Sequence, residues 1–220
     1  MKILSINVSL PEKIIFKNKN LTTSIFKAPT NKTIKVESEG LLGDRQADLR
    51  AHGGSNKAVY LYSYLHYKYW SNVLSKDLSK NFGLVGENLT VDDLNEKEFF
   101  IGDELKISNV VIKVTQPRIP CYKLGIKMNS KEFVQQFINY AHLGMYAKVI
   151  KKGEIIKGDS LELIHRESNS MSVYEVSRLI FDKNENIDQM KKAMKIECLS
   201  EEIKTRLSSR LVKLGHYEIL

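Results

Sequence analysis

Two cysteines, Cys121 and Cys198, four prolines and a single tryptophan are all that 220 residues contain of these types. Two thiols exclude a disulfide framework and lead to the expectation of a reducing, cytoplasmic compartment. No run approaches the roughly 18 consecutive apolar residues of a membrane-spanning helix, so no membrane partner is expected. The first ten residues are interrupted by Lys2, Ser5, Asn7 and Ser9 and lack the apolar stretch of a signal peptide. Repeats and low-complexity tracts are missing. Among the five histidines no second one lies at metal-ligand spacing, which argues against a zinc site.

What is there is ordinary globular material: 42% hydrophobic and 27% charged residues, enough for one large domain or a domain with a small appendage. The net charge of +8 is uneven. Lys2, Lys13, Lys17, Lys19, Lys27, Lys32 and Lys35 face one acid, Glu12, in the first 36 residues. A basic excess attracts anions. These lysines alternate with Ile14, Ile15, Phe16, Ile25, Phe26, Ile34 and Val36, the pattern of solvated strand faces, and no aromatic stacking platform accompanies them. A nucleic-acid partner is therefore disfavoured.

The spacing predicts a mainly β (α+β) chain, with short strands separated by turns over residues 1–165. Expected strands include Lys2–Ser9, Ala58–Tyr62, Asn88–Val91, Val110–Thr115 and Met145–Ile150, and so many short strands favour a barrel or sandwich. Two helices interrupt them. Over Tyr64–Leu74, the residues Leu65, Tyr69, Trp70, Val73 and Leu74 fit one inward face. Over Ser130–Tyr140, Phe133, Val134, Phe137 and Ile138 do the same. Residues 166–220 read as three short helices, opened by the capping box Ser172–Glu175, by Asn186 or Asp188, and by Ser200. They are too small to bury a strong core alone, so they are expected to pack on the barrel, another subunit or a partner.

Four segments carry candidate chemistry. In Gln116-Pro117-Arg118-Ile119-Pro120-Cys121-Tyr122-Lys123, two prolines stiffen the chain and are expected to keep it out of regular helix or central strand. Arg118 and Lys123 flank the thiol and favour its thiolate; an inert buried cysteine is the alternative. The run Gly43-Asp44-Arg45-Gln46 precedes His52-Gly53-Gly54-Ser55-Asn56-Lys57, whose glycines and lysine suit an anion, although a tight turn explains them equally well. Glu87 and Asn88 offer a carboxylate and an amide at a strand entrance, with an Asx-type turn as the alternative.

Together, GDRQADLRAHGGSNKAVYLY, GLVGENLT, IGDELKI, VTQPRIPCYKL and GMYAKVIKKGEIIKGD resemble the MOSC-domain family, the molybdenum cofactor sulfurase C-terminal-like proteins. The tail resembles the three-helix domain of the YiiM-like subgroup. This resemblance implies a MOSC-type β-barrel with a few helices over residues 1–165 and a three-helix domain over 166–220. It implies that Cys121 supplies a thiolate to molybdenum and serves as the catalytic ligand. Arg45, His52, Gly53, Gly54, Lys57, Glu87, Asn88 and Arg118 would surround the cofactor's pterin and phosphate. The implied activity is a molybdenum-cofactor-dependent reduction of small N-hydroxylated substrates, such as hydroxylaminopurines, to amines. Glu87 or His52 would relay protons. A separate electron-donor reductase is implied, and a homodimer stays open. The alternatives are a non-enzymatic cofactor or sulfur carrier, a nucleic-acid binder and a cysteine hydrolase. The chain is too short for the pyridoxal-phosphate domain of a self-sufficient sulfurase.

Overall fold

The computed structural model describes residues 1–47, 53–183 and 186–216. The chain runs β1 (Ile3–Val8), β2 (Glu12–Phe16), β3 (Lys19–Thr23), β4 (Ala28–Thr30), β5 (Ile34–Glu37), β6 (Gly40–Leu41), a 3-10 turn (Ser55–Lys57), β7 (Val59–Ser63), α1 (Leu65–Leu74) and β8 (Leu89–Val91). It continues through β9 (Glu104–Ile107), β10 (Val110–Pro117), α2 (Tyr122–Lys127), α3 (Phe133–Tyr140), β11 (Met145–Lys151), β12 (Gly153–Ile155) and β13 (Leu161–His165). Three helices follow: α4 (Val173–Phe181), α5 (Ile187–Met194) and α6 (Glu201–Lys213).

Eight strands form one mixed sheet in the order β13-β9-β10-β11-β7-β8-β1-β4. Only β7 and β8 run parallel, and α1 lies on the crossover between them. The pairing runs as one series from β13 to β4, bent so that β1 and the start of β13 also meet. At one edge β4 has three residues and contains Pro29, which offers no amide hydrogen to a further strand. The β1 and β13 sides meet through the Lys2–Ser160 bridge and through backbone bonds from Ile3 to Asp159, from Gly158 to Ile3 and from Leu161 to Met1. Strands β4, β6 and β12, of two or three residues each, escaped the pattern reading because a window so short carries no period.

The inward face of α1 differs from the expectation. Leu65, Tyr69 and Val73 are exposed, while His66, Tyr67 and Trp70 are buried. The polar atoms of the first two decide this. His66 lies against the Glu96 carboxylate and Tyr67 donates to Glu87, so both can go inside without an unpaired group. With Tyr60, Tyr62, Phe133 and Phe137 they form an aromatic cluster between the sheet and the α1–α3 layer.

The tail behaves as its caps predict. Ser172 and Glu175 form a reciprocal capping box, Asn186 caps α5, and Ser200 caps α6. Val176, Met190, Ile203, Leu207 and Leu211 join the same hydrophobic cluster as Ile3, Ile112 and Val114 of the sheet. The Ser200 amide also donates to the Thr115 carbonyl of β10 at 3.2 Å. The helices thus pack on the sheet. Among the described residues no helix is long and apolar enough to cross a membrane.

Candidate functional site

The site grows from the end of β10. This strand stays paired with β11 through Gln116↔Tyr146 and Pro117↔Met145. The first half of the proline segment is therefore strand, a correction to the expected loop. Proline is tolerated there because it ends the ladder. Beyond Arg118 the chain turns off the sheet, and Cys121, in an extended conformation, stands immediately before α2. Its thiol is half-buried and borders two lobes of one cleft.

The first lobe encloses about 640 Å³ and is lined by Ser24, Lys27, Asp44, Asn88, Arg118, Lys123 and Tyr146, among others. Arg118 is buried with its guanidinium 4.8 Å above the Tyr60 ring. One of its nitrogens donates to Tyr60 Oη at 3.2 Å and to the Val85 carbonyl. Both acceptors are uncharged, so Arg118 keeps an electrostatic grip on Cys121. Lys27 pairs with Asp44, and burial holds its pKa below the usual lysine value. Burial also brings Lys127 down to about 8, where it donates to the Ile25 carbonyl at 2.9 Å. Tyr146 is pushed the other way by burial and stays a neutral hydroxyl.

The lobe's rim is held by a chain of bonds. Asn88 Nδ2 donates to Asp44 at 2.9 Å, its carbonyl accepts from the Tyr60 amide at 3.1 Å, and Gln46 donates to the Lys57 carbonyl at 2.7 Å. Behind the wall sits Glu87, fully buried. It accepts from Tyr67, from Thr90 at 2.8 Å, and from the Gly83 and Val85 amides at 3.1 Å each. Those bonds shape the turn whose Val85 carbonyl receives Arg118. Gly83 itself has φ +76, and a Cβ there would meet the Lys27 carbonyl oxygen at 2.7 Å.

The second lobe lies between Cys121 and the tail. Gly53, Gly54, Asn56, Gln116, Ile119 and Phe181 line it, with Glu201, Glu202 and Arg206 from α6. Gly54 has φ +96, and its place before the 3-10 turn accounts for glycine there. Lys57 pairs with Glu202, so the first turn of α6 reaches the cleft.

Residues 48–162 match the family model of the MOSC domain. The chain belongs to the MOSC family. Within it, the chain is 35% identical over 199 residues to the uncharacterized protein YflK of Bacillus subtilis, covering 90% of this chain and 89% of that one. It is 29% identical to the protein YiiM of Escherichia coli over 81% of its own length and 80% of the other's. A stretch of 171 residues is 32% identical to part of a protein of Gibberella moniliformis named Reductase, covering 30% of that longer chain. The crystal structure of YiiM from Geobacillus stearothermophilus superposes with a TM-score of 0.80 at 26% identity, over 96% of this chain and 98% of that one. This MOSC protein is thus YiiM-like in sequence and fold.

The MOSC cleft gathers most of the expected residues. Cys121, Gly53, Gly54, Lys57, Asn88 and Arg118 line one lobe or the other. Arg45 is exposed and lines neither, and Glu87 braces the wall from behind. His52 lies outside the described residues. Ser24, Lys27, Tyr146 and Glu202 were missed, since strand pairing and the tail bring them in from afar; Tyr60 and Gln116 lie inside the quoted motifs but were not singled out. Histidine spacing along the sequence does not show one cluster that the fold assembles. His66, Glu96 and His142, distant in sequence, converge with donor atoms within 4.8 Å of one another. The Glu96 carboxylate lies 3.2 Å from His66 and 2.7 Å from His142, and accepts from the Gly144 amide at 3.0 Å. None of the three lines the cleft.

Proposed function

We propose that this protein holds a molybdenum cofactor through Cys121 and reduces N-hydroxylated compounds of the hydroxylaminopurine kind to amines. The observation that carries this reading is the half-buried Cys121 thiol at the junction of two lobes, one of them built around a buried arginine whose bonds, among the described residues, go to the uncharged Tyr60 hydroxyl and Val85 carbonyl. Family membership and a relative named Reductase support redox chemistry.

The donor set fits such a group. A soft thiolate suits a thiophilic metal, and the guanidinium of Arg118 favours the ionised sulfur. A phosphate and the polar edges of a pterin need cations and hydrogen-bond donors. Lys27, Lys123 and Arg118 line the lobe and supply them. Ser24 Oγ, buried in the same lobe without a partner, has a donor to spare. When bound, the cofactor supplies two-electron redox chemistry able to take up the oxygen of an N–O bond.

The protein's part is binding, orientation and charge. Conversion of R–NHOH to R–NH2 and water consumes two electrons and two protons. The electrons are assigned to a separate reductase. Tyr146, kept protonated by burial, offers its hydroxyl as a hydrogen-bond donor without discharging the cationic lobe. Glu87 is enclosed by four donors and has no path to the cleft as a relay, so we assign it to positioning.

The test is Cys121→Ser made in a cofactor-competent host. Molybdenum content is expected to fall at least tenfold, with loss of hydroxylaminopurine reduction supported by a chemical or enzymatic reductant. Retained turnover in the variant would sink the ligand assignment. A wild-type protein that carries molybdenum yet reduces no N-hydroxylated compound would point to a carrier instead.

A further inference from the structure

Two buried side-chain atoms among the described residues have no hydrogen-bond partner, Ser24 Oγ and Gln116 Oε1. Both residues line the cleft, one on each side of Cys121. Elsewhere the interior pairs its polar groups: Ser5, Asn7 and Thr90 bond one another or their neighbours, and Glu87 and Glu96 each accept several donors. Leaving a buried acceptor unmatched is unfavourable, so an exception at a cleft wall marks a contact completed by a ligand.

Gln116 is the more informative of the two. It is fully buried at the end of β10, and its backbone is paired with Tyr146. The side-chain nitrogen points at the Pro117 carbonyl oxygen, 3.4 Å away. Two carbonyl oxygens would repel in that position, so the amide orientation is fixed and Oε1 is the unpaired end. The surrounding lobe mixes polar groups, among them Asn56, Glu201, Glu202 and Arg206, with apolar walls in Ile119, Pro120, Tyr146 and Phe181. An acceptor set among such walls suits a flat ring bearing an N–H donor.

We propose that Gln116 Oε1 accepts a hydrogen bond from a ring or exocyclic N–H of a purine-like substrate lying between Cys121 and the helical tail. Gln116 is then a specificity residue that favours nitrogen heterocycles over simple hydroxylamines. This rests on the reading that the site reduces N-hydroxylated compounds. Sites that hydrogen-bond a substrate group discriminate strongly against analogues lacking it.

The experiment compares wild type with Gln116→Met, a swap of similar volume that removes the acceptor. Adenine, the amine product, serves as the probe in calorimetric titration of the purified protein. Its Kd is expected to weaken about tenfold, which corresponds to about 1.4 kcal/mol. In turnover, KM for hydroxylaminopurine should rise by a similar factor with kcat nearly kept, while phenylhydroxylamine, which has no ring nitrogen, should be affected less than twofold. The melting temperature without ligand should stay level or rise, since an unmatched acceptor has gone; a structural glutamine would lower it. Unchanged adenine binding, or equal losses on both substrates, overturns the proposal. Loss of molybdenum with adenine binding intact also overturns it and gives the acceptor to the pterin instead. If wild type reduces neither substrate, the enzymatic reading fails while the adenine titration still decides the role of Gln116.

Discussion

Glu87 shows how a residue can be indispensable to a site without touching its ligand. Its two carboxylate oxygens accept from Tyr67, Thr90 and two backbone amides, and the turn they shape presents the Val85 carbonyl to Arg118. The sequence singles out Glu87 and Asn88 as a pair, but not which of them faces the cleft. That depends on Tyr67, twenty residues back, turning inward. Glu87→Ala leaves four buried donors without an acceptor and is expected to cost ~3 kcal/mol or more of stability. Sulfate is a fair probe of the cationic lobe, because its charge is constant across neutral pH. Its affinity should fall in the variant as Arg118 loses its anchor. Urea denaturation and sulfate titration check the two effects. A variant as stable as wild type would show that the carboxylate is dispensable.

At the scale of elements, local signals were legible and long-range ones were not. The helices α4, α5 and α6 begin where Ser172, Asn186 and Ser200 announce them, because a cap is an interaction over three residues. Apart from β4, the strands of the main sheet fall near their predicted places, since runs of β-branched and apolar residues between turns are visible locally. The inward face of α1 failed because hydrophobicity alone ranked Leu65 and Val73 above His66. The partners of His66 lie in two other elements. Glu96 precedes β9 and binds His66 of α1 and His142 before β11, and its backbone carbonyl accepts from Tyr174 of α4 at 3.0 Å. Burial alone would raise the pKa of Glu96, yet the hydrogen bonds from His142 and His66 outweigh it and bring the group down to about 2. The unfolded chain therefore binds more protons than the folded one between the ordinary value of 4.5 and about 2. This carboxylate's contribution is complete above that window and is lost as pH falls through it. Stability measured in urea from pH 6 to pH 2.5 should drop more steeply for wild type than for Glu96→Gln. Parallel profiles would show that the junction of α1, β11 and α4 does not depend on that charge.

For the whole molecule, the question is whether the tail is an independent domain or part of one body. The sequence divides near residue 165, where strands give way to helices, and that division in texture is real. The packing crosses it. Leu207 and Leu211 of α6 share a cluster with Ile112 and Val114 of β10, and Glu202 closes onto Lys57 at the cleft. A core shared in this way predicts one unfolding transition rather than two. Trp70 serves the test, because the single tryptophan sits on α1 in the aromatic cluster shared with α3, outside the cluster that holds Leu207 and Leu211. Its fluorescence reports the sheet side, while far-UV circular dichroism is weighted toward the helices. Leu207→Ala, which empties a fully packed site in α6, is expected to cost about 2–5 kcal/mol. In a single cooperative body that loss moves the Trp70 transition and the dichroism transition together to lower urea. An independent tail would instead melt early in the dichroism and leave the Trp70 midpoint where it was. The outcome bears on function as well. If the transitions move together, the wall that α6 contributes to the second lobe is as rigid as the sheet, and the lobe around Gln116 is set before any ligand arrives.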